Sequence, residues 1–253
     1  LDNKMNYSVI TICLNSVNTL SNTVNSILNQ TVLPKQYIFV DGGSNDGTLE
    51  LISELEIELI KSGINVSIIK QEIADKNIAG IPHAWNLGIS EVTSDLVFIL
   101  NSDDWYGDFD VADKVLKSFK DNDLDAIVGC TRMRPSLDPS AAGKIVKNKP
   151  LLFFPILNPL NHPAFFVRLR TYKKLGDYDC RYFISSDYDF MYRVHIGGKI
   201  KICSNIFVDR FPGGLASQNI SKARHETYLI GKSHSKFFIW SLLGLAMRML
   251  LNR

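Results

Sequence analysis

Excess charge is nearly absent from the 253-residue chain: 28 Lys and Arg stand against 26 Asp and Glu, a net of +2. Whole-molecule attraction to nucleic acid is therefore not expected, and no nucleic-acid partner is assigned. Cysteine is scarce, and Cys13, Cys130, Cys180 and Cys203 lie far apart with no C-x-x-C pair. A tetrahedral zinc site or a thioredoxin-like centre is not expected from such spacing. Scattered thiols suit a reducing cytosol, where they pack as small apolar groups. The polar start Leu1–Asn6 and the short apolar run after it carry no signal-peptide pattern. Internal repeats and low-complexity tracts are missing, and 45% hydrophobic against 21% charged residues excludes long disorder. The length suits one large domain, or one domain with a small appendage. Two phosphate-binding patterns are also missing. Gly42, Gly43 and Gly47 do not fit G-x-G-x-x-G, and Thr48 stands where a P-loop needs its lysine.

What the sequence does have is alternation. Apolar runs at Tyr7–Leu14, Tyr37–Val40, Val66–Ile69 and Leu96–Leu100 read as buried strands. Between them fall helical patterns over 18–30, 48–61 and 81–90, with Leu51, Ile52, Leu55 and Leu59 on one face of the second and Gly63 just past its end. Alternating strand and helix predicts βαβ units and a doubly covered, mostly parallel sheet. A further helix is expected over about 108–120, and another over 187–196, stopped by Gly197-Gly198. Arg134–Pro163 is rich in proline, so helices are not expected there.

Ligands of such sheets sit beyond the carboxyl ends of the strands. Three polar clusters fall there: Thr11 to Asn15, Asp41-Gly42-Gly43-Ser44-Asn45-Asp46-Gly47-Thr48, and Asn101-Ser102-Asp103-Asp104. The second also reads as a glycine-rich turn with Asp46 or Thr48 at a helix start, and the third as a solvated turn. Taken together they describe an acidic site. Carboxylates can hydrogen-bond a nucleoside, and they hold a diphosphate through a divalent cation.

On these stretches the sequence resembles the family 2 glycosyltransferases of GT-A fold, similar to bacterial enzymes that build O-antigen and capsule sugars. VDGGSNDGT (Val40–Thr48), AWNLGI (Ala84–Ile89), FILNSDDW (Phe98–Trp105) and NHPAFFVR (Asn161–Arg168) carry the likeness, with LGDYD (Leu175–Asp179), SSDYDFMYR (Ser185–Arg193) and FPGGLAS (Phe211–Ser217). The resemblance implies an α/β GT-A domain over 1–217, with a Rossmann-like central sheet. Its nucleotide-sugar half would span about 7–105 and its acceptor half about 106–217. A basic, apolar helical extension over 218–253 would follow.

The resemblance further implies an inverting transfer from a nucleotide diphospho-sugar, UDP by family habit. Thr11 and Asn15 would line the base or ribose, Asp41 would pair with the base, and Asp46 would stand near it. The family's DxD stretch falls on Asn101-Ser102-Asp103, which makes Asp103 the ligand of Mn²⁺ or Mg²⁺ and Asp104 its close alternative. Asn101 replaces the usual first Asp and brings no charge. Lys76, next to Asp75, would contact the diphosphate, and Asn86 would cap or orient backbone. Asp187 would be the catalytic base, and His162 an acceptor-side candidate. Arg193 and Arg210 are further phosphate or carboxylate contacts to consider.

Phe237–Leu251 is apolar but shorter than a spanning helix needs. With Lys222, Arg224, Lys232 and Lys236 before it, it reads either as an interfacial helix or as a final helix docked on protein. The first reading places the protein at the inner face of the cytoplasmic membrane, with a glycan or polyprenyl-diphosphate-linked acceptor. A homo-oligomer stays open. The competing function is a catalytically silent nucleotide- or glycan-binding module on the same fold, which Asn101 favours.

Overall fold

The computed structural model describes residues 5–71, 80–136, 141–213 and 218–235. Four strands form the amino-terminal half of a nine-stranded sheet: β1 (Tyr7–Cys13), β2 (Gln36–Asp41), β3 (Asn65–Lys70) and β4 (Leu96–Ile99). Their order is β3-β2-β1-β4 and every pairing among them is parallel. All six residues of β2 and all four of β4 are buried. That is the signature of strands covered on both faces, where apolar runs replace simple alternation.

The two faces hold separate cores. Tyr7, Val9, Tyr37, Phe39 and Phe98 point to one side and pack with α1 (Leu20–Leu28), α2 (Thr48–Lys61) and α4 (Val111–Lys120). Ile10, Ile38, Val40, Val97 and Ile99 point to the other. There they meet α3 (Ile81–Ser90), α5 (Leu169–Leu175), α6 (Ser186–Gly197) and α7 (Ile220–His234), the last through the fully buried Ile230. This is strand period two expressed in three dimensions. α1 and α2 lie on one face and α3 on the other because the chain winds outward to β3, then crosses back to β4. Right-handed crossovers in opposite directions deposit their helices on opposite sides.

The carboxyl-terminal half mixes directions. β8 (Phe165–Arg168) runs antiparallel to both β4 and β6 (Ala126–Met133), while β6 pairs in parallel with β9 (Ile200–Arg210). Phe98 and Phe166 face each other across the β4–β8 seam with ring centroids 4.5 Å apart. β5 (Asp104–Tyr106) adds to β9 antiparallel, which sets Asp104 opposite Arg210. In the proline-rich segment β7 (Lys144–Val146) pairs with β6, and only single 3₁₀ turns, Leu151–Phe153 and His162–Ala164, occur among its described residues. The first strand stops one residue short of expectation. Leu14 is exposed, because the chain turns at Asn15, whose φ is 52°.

α3 approaches the sheet closely through Gly88. A Cβ added there would lie 2.5 Å from Ile10 Cγ2, inside the core. Gly88→Ala should therefore destabilise the fold by about 1–3 kcal/mol through overpacking, although alanine is the better helix former. Equilibrium urea unfolding measures it, and an unchanged midpoint would show that α3 does not bear on β1 as tightly as drawn.

Candidate active site

The strand order fixes where a crevice opens. β1 connects outward to β2, while β4 lies on the other side of β1, so the loops following β1 and β4 leave in different directions. The loops after β1, β2 and β4 are nevertheless tied together. The Asn15 amide donates to Ser44 Oγ (2.9 Å), and the Asn45 amide donates to Asn15 Oδ1 (3.0 Å). The Ser16 amide donates to Thr48 Oγ1 at 2.7 Å, and the Val17 amide to Asp46 Oδ2 at 3.2 Å. Ser16 Oγ then meets Ser102 Oγ at 2.8 Å, reaching the third loop. Ser16 and Thr48 thus form the hub of the site, and sequence reasoning did not single them out for it. Their only signal was position at a strand end and a helix start.

The carboxylates divide by environment. Asp41 is fully buried, and its oxygens accept from the amides of Gly43 (2.9 Å) and Ser44 (3.1 Å). It shapes its own loop, as an aspartate does at a tight turn. The expected pairing of Asp41 with a base remains a proposal. Asp46 is exposed and accepts from the Thr48 amide and hydroxyl, which hold its carboxyl below the usual range. Thr11 departs from expectation. It is fully buried on the face of β1 that carries Tyr7 and Val9, its hydroxyl 2.7 Å from that of Tyr37. It supports the sheet instead of lining a ligand.

At the tip of β4 the acids differ again. Asp103 is exposed, whereas Asp104 is 4% exposed. Burial, reinforced by neighbouring Asp103, pushes the Asp104 carboxyl well above its ordinary value; Arg210 and Asn101 only partly offset this. Asn101 sits between Trp85 and Asp104. It accepts from the indole N–H (3.3 Å) and donates to Asp104 Oδ2 (3.2 Å). Arg210 is thus tied to the acidic tip electrostatically as well as by register. Beside it the buried Asp209 accepts a fork from Arg132 (2.7 Å twice) and a bond from Arg134 (2.6 Å). A buried carboxylate needs such pairing, and here it welds β6 to β9.

A divalent cation fits this tip in part. Mg²⁺ and Mn²⁺ use one or two carboxylates and complete their shell with phosphates and water. The exposed Asp103 carboxylate can serve so, with the buried Asp104 behind it. Among the described residues no group of three or more His, Cys, Asp or Glu converges as a complete cation cage.

Asp187 lies in the first turn of α6, partly buried. Its Oδ1 accepts from the Tyr188 amide at 2.7 Å and its Oδ2 from Asn158 Nδ2 at 3.3 Å. Burial dominates these bonds and lifts the carboxyl to about 6. A chain of contacts connects it toward the loop after β4: Tyr178 lies within electrostatic reach, Tyr178 Oη is 2.8 Å from His162 Nε2, and the His162 ring lies 4.5 Å from that of Trp85. Trp85 in turn donates to Asn101.

His162, the acceptor-side candidate, lies inside the protein. It is 7% exposed between Trp85 and Tyr178, and burial lowers its pKa to about 3, so it is a neutral packing partner. Asn86 behaves as a backbone anchor, with Nδ2 donating to the Tyr178 carbonyl (2.8 Å) and Oδ1 accepting from its amide (3.0 Å). Arg193 is spent inside the protein on Asp189 and on the carbonyls of Leu175, Gly176 and Asp177. Lys76 and Asp75 lie outside the described residues, as does Phe237–Leu251. No described helix is long and apolar enough to cross a membrane.

The family model described as glycosyl transferase family 2 matches residues 8–174, spanning the loops after β1, β2 and β4. The chain belongs to this family. It is a nucleotide-sugar-dependent glycosyltransferase on an α/β, GT-A-like fold. The transferase is 26% identical over 196 residues to an uncharacterized glycosyltransferase of Mycobacterium tuberculosis, covering 74% of this chain and 67% of that one. It is 27% identical over 188 residues to a PGL/p-HBAD biosynthesis glycosyltransferase of Mycobacterium bovis, covering 74% and 68%. Among solved structures it resembles S. aureus TarS in complex with UDP-GlcNAc, with a TM-score of 0.68 at 15% identity over 97% of this chain and 72% of that one. A Pyrobaculum calidifontis mannosyltransferase in complex with GDP-Man and Mn²⁺ gives 0.67 at 15% identity, over 99% and 75%. At that identity the two structures speak for the fold of the transferase.

Thr48→Val keeps the shape of this threonine but removes the oxygen that receives the buried Ser16 amide. The cost should be about 1–3 kcal/mol of unfolding free energy, the penalty of an unsatisfied buried donor. Chemical denaturation of the variant checks it; a loss below about 0.5 kcal/mol would remove Ser16–Thr48 as the hub.

Proposed function

We propose that the transferase moves a sugar from a UDP-sugar to a hydroxyl of a glycan or lipid-linked acceptor with inversion at the anomeric carbon, in the synthesis of a bacterial surface polysaccharide such as O-antigen or capsule. The observation that carries this reading is Asp187, a carboxylate in the first turn of α6 whose pKa is raised to about 6 by burial. A base poised just below neutral pH is ionised at working pH yet retains proton affinity. The helix amino terminus favours its charged form, and Asn158 and the Tyr188 amide fix its orientation.

In the donor half, about 7–105, Asn15 and Asp46 present the nucleotide loops, and Asn101 and Ser102 hold the β4 tip in register with them. Asp103 would hold Mn²⁺ or Mg²⁺, with Asp104 behind it; such an ion supplies neutralisation of charge on a leaving diphosphate. Lys76 is proposed as a second phosphate contact. In the acceptor half, about 106–217, Asp187 accepts the proton of the acceptor hydroxyl as that oxygen attacks the face opposite the leaving group. The bond to the diphosphate breaks as the glycosidic bond forms, through an oxocarbenium-like state. An α-linked donor thereby gives a β-glycoside. On this reading the basic extension over 218–253 would bring the transferase to the inner face of the cytoplasmic membrane, where a lipid-linked acceptor would lie.

Asp187→Asn should lower turnover by about 10²- to 10⁴-fold, the usual worth of a general base, while donor binding stays intact. UDP release from UDP-sugars gives the first quantity, and donor-induced thermal shift the second. Turnover by the variant at the wild-type rate refutes Asp187 as the base. The reading also fixes a pH dependence. Protonation silences the base, so kcat/KM should fall as pH drops through about 6, with an acid limb that Asp187→Asn abolishes. Binding of UDP-sugars with no turnover under any Mn²⁺ condition would favour the silent binding module that Asn101 suggests.

A further inference from the structure

α7 holds the segment that leads into the base. Glu226 is 5% exposed, and its carboxylate accepts three consecutive backbone amides: Phe183 at 3.1 Å, Ile184 at 2.8 Å and Ser185 at 2.9 Å. Ser185 is the residue before α6, and Asp187 follows two positions later. The Ser185 hydroxyl also donates to the Ala223 carbonyl of α7 at 3.3 Å, and Lys222 Nζ lies 4.6 Å from the centre of the Phe183 ring. Two residues beyond the base, His234 of α7 meets Asp189 at 2.7 Å, and Arg193 meets the same carboxylate. Glu226 is the single acid between Lys222 and Arg253, in an otherwise basic segment.

Docking a helix needs apolar contact, which Ile230 already supplies. A buried carboxylate is expensive unless its oxygens are filled, and here all three donors come from one short loop. The arrangement specifies the path of residues 183–185, and hence the place at which α6 begins. It also sets a negative charge near Asp187. We propose that Glu226 is a positioning residue for the catalytic base, fixing where Asp187 stands through the three amides and holding a second negative charge beside it. The inference rests on Asp187 being that base.

Among the described residues Asp187 is faced by Glu226 from α7, Tyr178 from the loop before α6 and the neutral Asn158, which donates to Oδ2; the next acid on α6, Asp189, is itself paired with Arg193 and with His234 of α7. Like charge disfavours the ionised form, so Glu226 raises the proton affinity of Asp187 and its neutralisation lowers it. The sign matters: Glu226→Gln should move the acid limb to lower pH; loosening alone would also hydrate Asp187 and lower the limb, so the charge-keeping Glu226→Asp is the control that separates the two. Glu226→Asp keeps the charge and shortens the reach, so it should keep the limb and lose turnover.

The experiment compares wild type, Glu226→Gln, Glu226→Asp and Asp187→Asn in the full chain. The Asp187 carboxyl is titrated by carbon-13 NMR, with Asp187→Asn identifying its resonance, and UDP release is followed with Mn²⁺ from whichever of UDP-GlcNAc, UDP-Glc and UDP-Gal the transferase hydrolyses. The expected result is a lower Asp187 pKa in Glu226→Gln and an unshifted one in Glu226→Asp. For both variants kcat should fall about ten- to a hundredfold, the scale of a misplaced reacting group, with donor KM within about twofold. An unmoved Asp187 titration in folded Glu226→Gln overturns the proposal, as does wild-type kcat in both variants. Wild-type turnover by Asp187→Asn instead overturns the assignment of the base and leaves the NMR result to judge the contact alone.

Discussion

The site depends on one topological constraint: the chain reverses its direction of travel across the sheet between β1 and β4. Loops that leave two adjacent strands in opposite directions cannot cover each other, so their backbones face an opening. Such loops lose the cover of regular structure, and every amide in them needs a partner from elsewhere. In this transferase the partners are short side chains, Asn15, Ser44, Asp46 and Thr48, each reaching from one loop to the next. The polarity of VDGGSNDGT is thus partly the cost of keeping a crevice open. Glycine serves the same end at Gly43 and Gly47, whose φ values of 93° and 96° let the loop double back toward Asp41 and start α2.

Much of the amino-terminal half was legible because its signals are local. Helices over 48–61 and 81–90 fall where apolar periodicity places them, and the strand tips follow from apolar runs ending in polar residues. The carboxyl-terminal half is built from pairings distant in sequence. β9 is exposed along much of its length and β8 is only four residues long, so neither announces itself by pattern. The misplaced side chains have a common cause. Thr11 and His162 occur in the right stretches, but spacing in a motif does not say which face a residue takes. For Thr11 the information was present: period two from Tyr7 and Val9 assigns it to the core side of β1. For His162 it was not, since its burial depends on Trp85 and Tyr178 from two other segments. Glu226 had a signal of another kind, as an isolated acid in a basic segment, whose partners are amides that no sequence pattern reveals.

The acids of the site show how one residue type is given different work by solvation. Asp41 and Asp46 accept backbone or hydroxyl hydrogens and act as fixed loop-builders. Asp209 is equally buried but balanced by two guanidinium groups. Asp104 is buried with only an amide and a flanking arginine in support, and its carboxyl is pushed well above the ordinary value. Asp187 stands between these cases, with two hydrogen bonds that do not fully offset burial. Desolvation without full compensation is what separates a carboxylate that can exchange a proton near neutral pH from one that only holds structure.

That separation also bears on why Asp187, the proposed base, sits on a helix anchored from outside its own loop. A partly desolvated carboxylate has free energy to recover by moving toward water, and a first turn preceded by an irregular segment offers little resistance to such movement. The amides of residues 183–185 would otherwise be among the least constrained near the site, because they precede α6 and belong to no strand. Binding them to a buried carboxylate on α7 opposes that drift while adding no positive charge that would acidify Asp187. An arginine or lysine placed there would restrain the chain as well but would depress the proton affinity of the base. The sign of Glu226 is therefore the sign that allows both restraint and basicity.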